Sequence, residues 1–182
     1  MSAGRSVVVI PGGRYGPQAG LLAYVGEAAR RRDAAVELVF WRPPEDLVVA
    51  EAAPWVSGQV TPLVEGLDRP VLIGKSLGSL GAAVAADRGL AGIWLTPLLT
   101  VPACVAALRR ATEPFLLVGG TADGFWDGAL ARELTPHVVE VDGADHGMQV
   151  PGPLRRTAEV LGDVTTAVEA FLDGVVWPPG AA

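Results

Sequence analysis

The sequence is poor in the residues that build disulfides and metal centres. Cys104 is the only cysteine in 182 residues, which excludes an internal disulfide and favours a reducing compartment. The two histidines, His137 and His146, do not combine with Cys, Asp or Glu at the spacing of metal ligands. We therefore predict neither a disulfide framework nor a metal site.

Long apolar runs are also lacking. The run near the amino end, in MSAGRSVVVIPGG, is only about five residues long. A signal peptide needs a longer apolar segment, and a membrane span needs about twenty apolar residues. We expect a soluble, cytoplasmic protein with no membrane partner.

Positive charge is scarce too. The net charge is −6, the isoelectric point is about 4.9, and lysine is nearly absent beside arginine. The basic clusters at 30–32, 109–110 and 155–156 fall in predicted helices, where they fit solvated faces or helix carboxyl ends. A nucleic-acid partner requires a concentrated basic surface, so we exclude one.

What the chain does have is a regular alternation of two patterns. Half of its residues are hydrophobic and 19% are charged, as in a compact domain long enough to bury a core. Short β-branched runs alternate with stretches of helical period, which predicts a mostly parallel sheet of about six strands with helices on both faces. The predicted strands are 7–11, 36–40, 71–74, 93–95, 115–119 and 138–141, and the predicted helices are about 17–32, 54–66, 77–88, 102–111, 127–134 and 153–173. We predict one domain over 1–182, with a frayed tail from about 175 to 182.

Four loops after predicted strands carry glycine and polar residues. They are PGGRYG (11–16), GKSLG (74–78), GGTADGFW (119–126) and DGADHGM (142–148). Ligands of open α/β sheets bind at the carboxyl ends of the strands. These loops are therefore the predicted place of the functional site.

The stretch VLIGKSLGSLG (71–81) contains the endings of two different motifs. Gly-Lys-Ser ends a phosphate-binding loop, but that loop needs a glycine where Arg69 stands, and here an apolar strand runs directly into Gly74. Gly-x-Ser-x-Gly instead places a serine on a sharp strand-to-helix turn, with its hydroxyl exposed above the sheet. Gly74 and Gly78 let the strand and helix approach closely, and the helix amino end favours negative charge. The pattern favours Ser76 as a nucleophile over a serine that only caps a helix.

A serine nucleophile needs a base, and the base needs an acid that orients it. His146 lies in a glycine-rich turn after the last strand, whereas His137 opens that strand and fits an ordinary position at the sheet edge. Asp123 directly follows FLLVGGTA and is the predicted acid, while its rival Asp127 fits the amino cap of the next helix. Ser76, Asp123 and His146 then follow successive predicted strands in the order Ser, Asp, His.

These motifs resemble the α/β-hydrolase superfamily over about residues 6–173. GKSLG, GGTADGFWD and GADHGM, with PGG after the first strand, are similar to the compact, lidless bacterial members related to dienelactone hydrolases. The resemblance implies a minimal three-layer α/β/α hydrolase fold that lacks the first strands of the usual sheet and the lid. Dienelactone hydrolases use a cysteine nucleophile where this chain has Ser76, so their substrate is not implied.

The resemblance also implies an oxyanion hole built from two backbone N–H groups. One is that of Leu77, after the nucleophile, and the other comes from the loop after the first strand, at Gly13 or Arg14. Family members often have His-Gly in that loop, where this chain has Pro11-Gly12. The missing lid implies a shallow, open site suited to small or extended acyl substrates.

Further side chains near these loops are candidates for substrate contact. Tyr15, Trp41 and Trp126 are expected to line the site. Lys75 occupies the variable position of the serine motif and is expected to point to solvent or to an acid in a loop. Cys104, in an Ala/Val-rich helix, is expected to be packed rather than reactive.

Together these features predict a serine hydrolase that cleaves a carboxylic ester or thioester through an acyl-enzyme, with no cofactor. Ser76 would attack, His146 would act as base and then as acid, and Asp123 would hold the imidazole tautomer. Two alternatives stay open: the same residues in lyase, acyl-transfer or cyclisation chemistry, and an inactive binding scaffold. The expected partner is a small acyl substrate, and the sequence leaves a homodimer open.

Overall fold

The computed structural model describes residues 4–179. They form a sheet of six parallel strands in the order β2-β1-β3-β4-β5-β6, with helices on both faces. The strands are β1 Ser6–Ile10, β2 Ala35–Leu38, β3 Val71–Lys75, β4 Gly92–Leu95, β5 Phe115–Gly120 and β6 Val138–Val141. The helices are α1 Gly20–Arg30, α2 Ala53–Glu65, α3 Ala82–Arg88, α4 Pro102–Arg110, α5 Gly128–Leu134 and α6 Leu154–Phe171. The predicted three-layer α/β/α architecture with six strands is confirmed.

Each face of the sheet buries its own apolar core, because side chains alternate along a strand. Val7 and Val9 of β1 pack with α1 and α6 on one face. Val8 and Ile10 of the same strand pack with helices α2 to α5 on the other face, where Trp94 is buried as well. Strands β1, β3, β4 and β5 are buried along their whole length. Burial on both faces explains why their sequences are apolar at nearly every position.

The strand order contains one topological switch point. The chain leaves β1 toward β2 on one side and returns to form β3 on the other side of β1. The connecting helices α1 and α2 lie on opposite faces, so the carboxyl ends of β1 and β3 border a crevice. The strand order therefore predicts that a ligand binds between the loops that follow β1 and β3.

The region where related folds carry a lid holds little chain. In residues 4–179, only the short helix α4 lies between β4 and β5, so the sheet's carboxyl edge is uncovered there. This agrees with the lidless prediction. No helix of the described chain is both long and apolar enough to cross a membrane.

Two boundaries differ from the sequence predictions. The helix predicted from residue 77 begins as a tight 3-10 helix, Ser76–Gly81, before α3. The predicted frayed tail is wrong as far as the structure describes it, because Leu172–Val176 continue α6 as a π-helical turn. The segment is held by apolar packing, because Trp177 and the two valines before it contact the core formed by α1 and α6. The backbone N–H of Trp177 also donates to the Leu172 carbonyl at 2.7 Å. The last part of that prediction, 180–182, lies outside the described residues.

Candidate active site

Ser76 occupies the sharp turn between β3 and the 3-10 helix. Its φ is +53°, a conformation that strains any residue with a side chain. The flanking glycines make the turn sterically feasible. A Cβ at Gly78 would lie 2.6 Å from the carbonyl oxygen of Pro11, and a Cβ at Gly74 would collide with the carbonyl of Gly78. The strained turn thus lifts the serine side chain off the end of β3, as the sequence motif predicts.

Side chains from three loops form a chain of short hydrogen bonds. The Nε2 atom of His146 lies 2.7 Å from the Ser76 Oγ, and its Nδ1 lies 2.8 Å from the Asp123 Oδ2. The three loops follow β3, β5 and β6. The structure therefore brings together the three residues that the sequence singles out.

The surroundings of Asp123 determine which ring nitrogen of His146 carries the proton. Its carboxylate is fully buried, and its other oxygen, Oδ1, accepts the backbone N–H of Phe125 at 2.9 Å. Because a carboxylate accepts hydrogen bonds, the Nδ1 of His146 carries the proton and its Nε2 is left to accept from Ser76. The arrangement holds the imidazole in the tautomer that can take up the serine proton.

The histidine is held by a turn that closes on itself. The Asp145 side chain accepts the backbone N–H groups of Gly147 and Gln149 at 2.8 and 2.9 Å. Its own N–H donates to the Gln149 carbonyl at 2.9 Å. Asp145 therefore shapes the loop that carries His146, and Asp123 is the carboxylate that contacts the imidazole.

A cleft of about 1020 Å³ opens over Ser76 and His146. One wall is the loop after β1, and another is the segment 41–49, which connects β2 toward α2. The three residues that the resemblance nominates for the oxyanion hole all line this cleft: Gly13, Arg14 and Leu77. The neighbouring Gly12 donates its backbone N–H to the Tyr15 carbonyl at 2.9 Å, so this N–H is not available as an oxyanion donor.

Comparison with known proteins gives a likeness in structure only. No protein-family model matches the chain, and no curated protein matches it. Est1E from Butyrivibrio proteoclasticus superposes with a TM-score of 0.72 at 15% identity, over 94% of this chain and 88% of that one. An α/β serine hydrolase homologue from Coxiella burnetii gives 0.70 at 15% identity, over 93% and 85% of the two chains. A lidless α/β serine hydrolase from Xanthomonas campestris gives 0.63 at 14% identity, over 100% and 86%.

The chain has an α/β-hydrolase fold. The superpositions establish the fold, but sequence identities this low establish nothing beyond it. The narrower resemblance to dienelactone hydrolases stays a prediction. Within the α/β-hydrolase fold, the serine, acid and histidine loops of this chain follow its third, fifth and sixth strands. Their meeting at one edge is a consequence of the all-parallel sheet, whose strands end on the same side.

The rival acid and base have other roles in this fold. Asp127 caps α5, accepting the Leu130 N–H at 2.9 Å, as predicted for an amino cap. His137 lies just before β6, and its ring packs edge-on against Phe171 with centroids 5.1 Å apart. Neither side chain reaches the cleft.

Two of the three aromatic candidates line the cleft of the hydrolase fold. The Trp41 Nε1 donates to the Gly12 carbonyl at 3.0 Å, and the Tyr15 hydroxyl accepts the Leu21 N–H at 2.7 Å. These bonds tie the Trp41 ring to the loop after β1 and the Tyr15 ring to the first turn of α1. Both aromatic side chains are therefore held in place in the cleft wall.

Trp126 is the exception, and the expectation that it lines the site is wrong. Its ring lies against Gly119, where a side chain would leave no room, and its Nε1 donates to Glu140 at 2.7 Å. Its neighbour Phe125 lines the cleft instead, with its ring centroid 5.1 Å from that of His146. Adjacent residues in a turn point in different directions, and the sequence Gly-Phe-Trp does not reveal which ring faces the site.

Lys75 also contradicts its prediction. It is not turned to solvent but buried, with 2% of its surface exposed. Its Nζ donates to the Thr96 Oγ1 at 3.0 Å and to the His146 carbonyl at 2.9 Å. Burial lowers the pKa of Lys75 to about 8, against the opposing influence of the carboxylates of Asp123 and Asp145. The side chain next to the nucleophile is thus almost wholly buried, although it borders the cleft.

Cys104 does not line the cleft. Cys104 is buried in the core beside Ser79, and burial raises the pKa of its thiol to about 11, so it is packed and unreactive at neutral pH. Within residues 4–179, no group of three or more His, Cys, Asp and Glu side chains is arranged to hold a metal ion.

Proposed function

We propose that this protein is a serine hydrolase that cleaves carboxylic esters or thioesters. The observation that carries the proposal is the hydrogen-bonded series Asp123–His146–Ser76, with distances of 2.8 and 2.7 Å, at the floor of an open cleft. A serine hydroxyl is a weak nucleophile until a neighbouring base removes its proton. The series supplies that base in the tautomer that the reaction needs.

In the first half-reaction, the Ser76 Oγ attacks the substrate carbonyl carbon while its proton passes to the Nε2 of His146. The imidazolium that forms is stabilised by the Asp123 carboxylate on Nδ1. It then protonates the leaving alcohol or thiol as the carbon–oxygen or carbon–sulfur bond breaks. The acyl group remains as an ester on Ser76.

The tetrahedral intermediate carries a negative oxygen that needs fixed donors. We assign this role to the backbone N–H of Leu77 and to that of Gly13 or Arg14, all on the cleft surface. Each such donor contributes about 3 kcal/mol to stabilising the transition state. The amino end of the 3-10 helix that starts at Ser76 adds a favourable dipole.

In the second half-reaction, water enters the cleft and loses a proton to the Nε2 of His146 as it attacks the acyl-enzyme. Collapse of this second intermediate returns the proton to the Ser76 Oγ and releases a carboxylic acid. The open cleft supports this step because no lid covers the acyl group among the described residues.

The cleft wall supports small or extended acyl groups with apolar or aromatic character. Tyr15, Trp41 and Phe125 line it together with aliphatic side chains. One structural neighbour, Est1E, has been solved with ferulic acid bound. Aromatic esters are therefore included among the substrates to test.

The test is turnover of p-nitrophenyl esters of increasing chain length, an aromatic ester and a matched thioester, by wild type and Ser76→Ala. In water enriched in ¹⁸O, we expect one heavy oxygen in the released acid, which distinguishes hydrolysis from acyl transfer, lyase or cyclisation chemistry. A pre-steady-state burst of p-nitrophenol equal to the enzyme concentration would report the acyl-enzyme. Failure to hydrolyse any of these esters, or hydrolysis that survives in Ser76→Ala, would contradict the proposal.

A further inference from the structure

Lys75 is a buried charge that the proposed mechanism does not use. It is the only lysine of the chain, and it is buried directly before the nucleophile. Lysine is almost never fully buried without partners, because an ammonium loses much hydration energy on leaving water. Its burial next to the nucleophile therefore requires partners that stabilise the charge.

The ammonium group has three N–H bonds and finds three partners. One is the Thr96 Oγ1 at 3.0 Å, the second is the His146 backbone carbonyl at 2.9 Å, and the third is the face of the Tyr15 ring, whose centroid is 4.8 Å from Nζ. These partners follow β4, β6 and β1 respectively, while Lys75 itself ends β3. One ammonium therefore joins the loops of four strands at the edge where the site lies.

Two of the joined loops bear directly on the reaction. The His146 loop holds the base, and the Tyr15 loop holds Gly13 and Arg14, the proposed oxyanion donors. Tyr15 is itself fixed through its carbonyl, which accepts from Gly12. A shift of Lys75 would thus move the base and the oxyanion loop relative to the serine.

The third joined loop, which carries Thr96, has a strained backbone. Thr96 is fully buried and has φ of +43°, an outlier for a β-branched residue, and Ser76 next to Lys75 has φ of +53°. Such conformations persist only where the surroundings hold them. The bond between Lys75 and Thr96 ties one strained residue to the neighbour of the other.

We propose that Lys75 is a positioning residue, which holds His146 and the oxyanion loop in register with Ser76. The proposal rests on the proposed function, because it assumes that these groups react together. Lys75 borders the cleft, but its ammonium is engaged by Thr96, His146 and Tyr15, so the proposed role is exerted through the loops that carry these partners. Misplacing a reacting group by about 1 Å costs on the order of 100-fold in rate.

The test compares Lys75→Met, which keeps the length and loses the charge, with Thr96→Val, which keeps the branched shape and loses one acceptor. The readout is the second-order rate of Ser76 modification by a fluorophosphonate, with Tm measured beside it. We expect a fall of roughly 10- to 100-fold for Lys75→Met and a smaller fall for Thr96→Val. For ester turnover, the loss should appear in kcat, with KM changed by less than about threefold. A Lys75→Met variant that is less stable but labelled at the wild-type rate would overturn the proposal.

A double variant separates positioning through His146 from any independent effect. In a His146→Gln background, adding Lys75→Met should cost clearly less than in the wild-type background, because the part of its effect that passes through the histidine is already lost and only the part that passes through the oxyanion loop remains. Full additivity of the two losses would overturn the proposal while leaving the serine hydrolase intact. A wild type that does not react with the fluorophosphonate would overturn both.

The geometry around Lys75 can also be tested by NMR of the wild-type protein, which does not depend on whether a variant folds. Lysine labelled with ¹⁵N at Nζ gives a single side-chain resonance, since the chain has one lysine. We expect a slowly exchanging ammonium whose shift changes when Ser76 is phosphonylated. An ammonium signal that exchanges rapidly, and whose chemical shift is unchanged by phosphonylation of Ser76, would contradict a buried ammonium with three partners.

Among the residues that the structure describes, two arginines of the cleft differ from the other arginines in lacking a partner. Most arginines of the described chain form ion pairs with carboxylates, and Arg5 and Arg156 donate to backbone carbonyls. Within residues 4–179, Arg14 and Arg42 have neither kind of partner, and both line the cleft over Ser76. The one carboxylate among the cleft-lining residues, that of Glu45, is not within ion-pair distance of either.

The two arginines lie on the same side of the nucleophile. They follow β1 and β2, whereas His146 follows β6, on the opposite side of β3. The leaving group must reach His146 to be protonated, so the acyl part extends toward β1 and β2. We propose that the acyl part of the substrate carries a carboxylate, which Arg14 and Arg42 bind. This inference also rests on the proposed function.

The test is the ratio of kcat/KM for the mono-p-nitrophenyl ester of glutaric acid to that for p-nitrophenyl valerate, a neutral ester of similar length. We expect a ratio of roughly 10 or more in wild type, falling toward 1 in Arg42→Gln, in Arg14→Gln and at high salt. Arg156→Gln, which removes the same charge outside the cleft, should keep the wild-type ratio. Equal rates for the two esters would overturn this inference alone, and no hydrolysis of either would overturn the proposed function with it.

Discussion

Two clefts of similar size lie at opposite ends of the sheet, and they differ in how their polar groups are satisfied. The carboxyl-end cleft measures about 1020 Å³ and the amino-end cleft about 1070 Å³. In the amino-end cleft, Arg32 makes ion pairs with Asp173 and Glu169, and Arg69 pairs with Glu113. In the carboxyl-end cleft, Ser76 and His146 line the opening and are hydrogen-bonded to each other at 2.7 Å.

The difference shows that volume alone does not locate function in this molecule. At the amino end, the carboxylates hold the pKa of Arg32 above its ordinary value, so its charge is stabilised within the protein. At the carboxyl end, burial lowers the pKa of Lys75, and its ammonium has no carboxylate in contact. A shifted pKa beside a serine and a histidine is typical of a functional site, whereas an ion-paired arginine is typical of a structural one.

The largest expected effect compares a serine in each cleft. Ser76→Ala should lower ester turnover by at least about 10⁴-fold, because the nucleophile is removed. Ser6 lies in the amino-end cleft, and its Oγ is buried with no hydrogen-bond partner among the described residues. Ser6→Ala should leave turnover unchanged and keep or raise the Tm, since an unsatisfied hydroxyl is removed. Steady-state kinetics and thermal unfolding of both variants check this, and equal losses of activity would break the comparison.

The next effect tests the acid of the series against its rival. Asp123→Asn should reduce kcat by about 10³- to 10⁴-fold, because an amide can hold the imidazole in the wrong tautomer. Asp127→Asn, four residues later, should keep full activity and nearly full stability, because asparagine caps a helix as well as aspartate. Kinetics of the two variants decide between the acids. A larger loss for Asp127→Asn would reassign the role.

The third effect concerns Lys75, which is buried with no carboxylate in contact, and it depends on pH. Burial lowers the pKa of Lys75 to about 8 from an ordinary 10.5, so between these values the unfolded chain binds a proton that the folded chain releases. The free energy of unfolding should therefore rise with pH in this window, by about 3 kcal/mol relative to Lys75→Met. Urea unfolding of both proteins below pH 8, near pH 9 and near pH 10.5 measures the difference. If the difference in free energy of unfolding between the two proteins does not change with pH, burial does not lower the pKa of Lys75.

The smallest effect concerns the paired charge at the other end. Arg32→Met removes a guanidinium that binds Asp173 at 2.6 and 2.7 Å, and these bonds are partly screened by water. We expect a fall in Tm of a few degrees and no change in kcat/KM beyond about twofold. Thermal unfolding and ester kinetics on the same preparation measure both. A loss of activity without a loss of stability would link the two ends of the sheet and weaken the contrast between them.

Much of this architecture could be predicted from sequence because it rests on local patterns. Strands buried on both faces must be apolar at successive positions, so the six strands stand out. The turn at Ser76 needs glycine at 74 and 78 for steric reasons, and the structure shows the contacts that enforce this. The meeting of Asp123 and His146 follows from the parallel sheet, which gathers loops far apart in sequence.

The parts that escaped prediction depend on side-chain direction. Lys75 could not be placed because its partners, Thr96 and His146, lie in loops of other strands. Trp126 and Phe125 are adjacent aromatics in one turn, and only the packing of Trp126 against Gly119 shows which ring leaves the cleft. Where tertiary contacts decide the outcome, no sequence pattern marks it.

Whether Ser76 is an activated nucleophile is measured by intact mass spectrometry after treatment of the folded protein with a fluorophosphonate. We expect one adduct on the wild type, located to Ser76 by peptide mapping and not to Ser79 in the same 3-10 helix. Under the same conditions, Ser76→Ala should carry no adduct. A wild type that stays unmodified, or a Ser76→Ala variant labelled equally, would show that Ser76 is not the nucleophile.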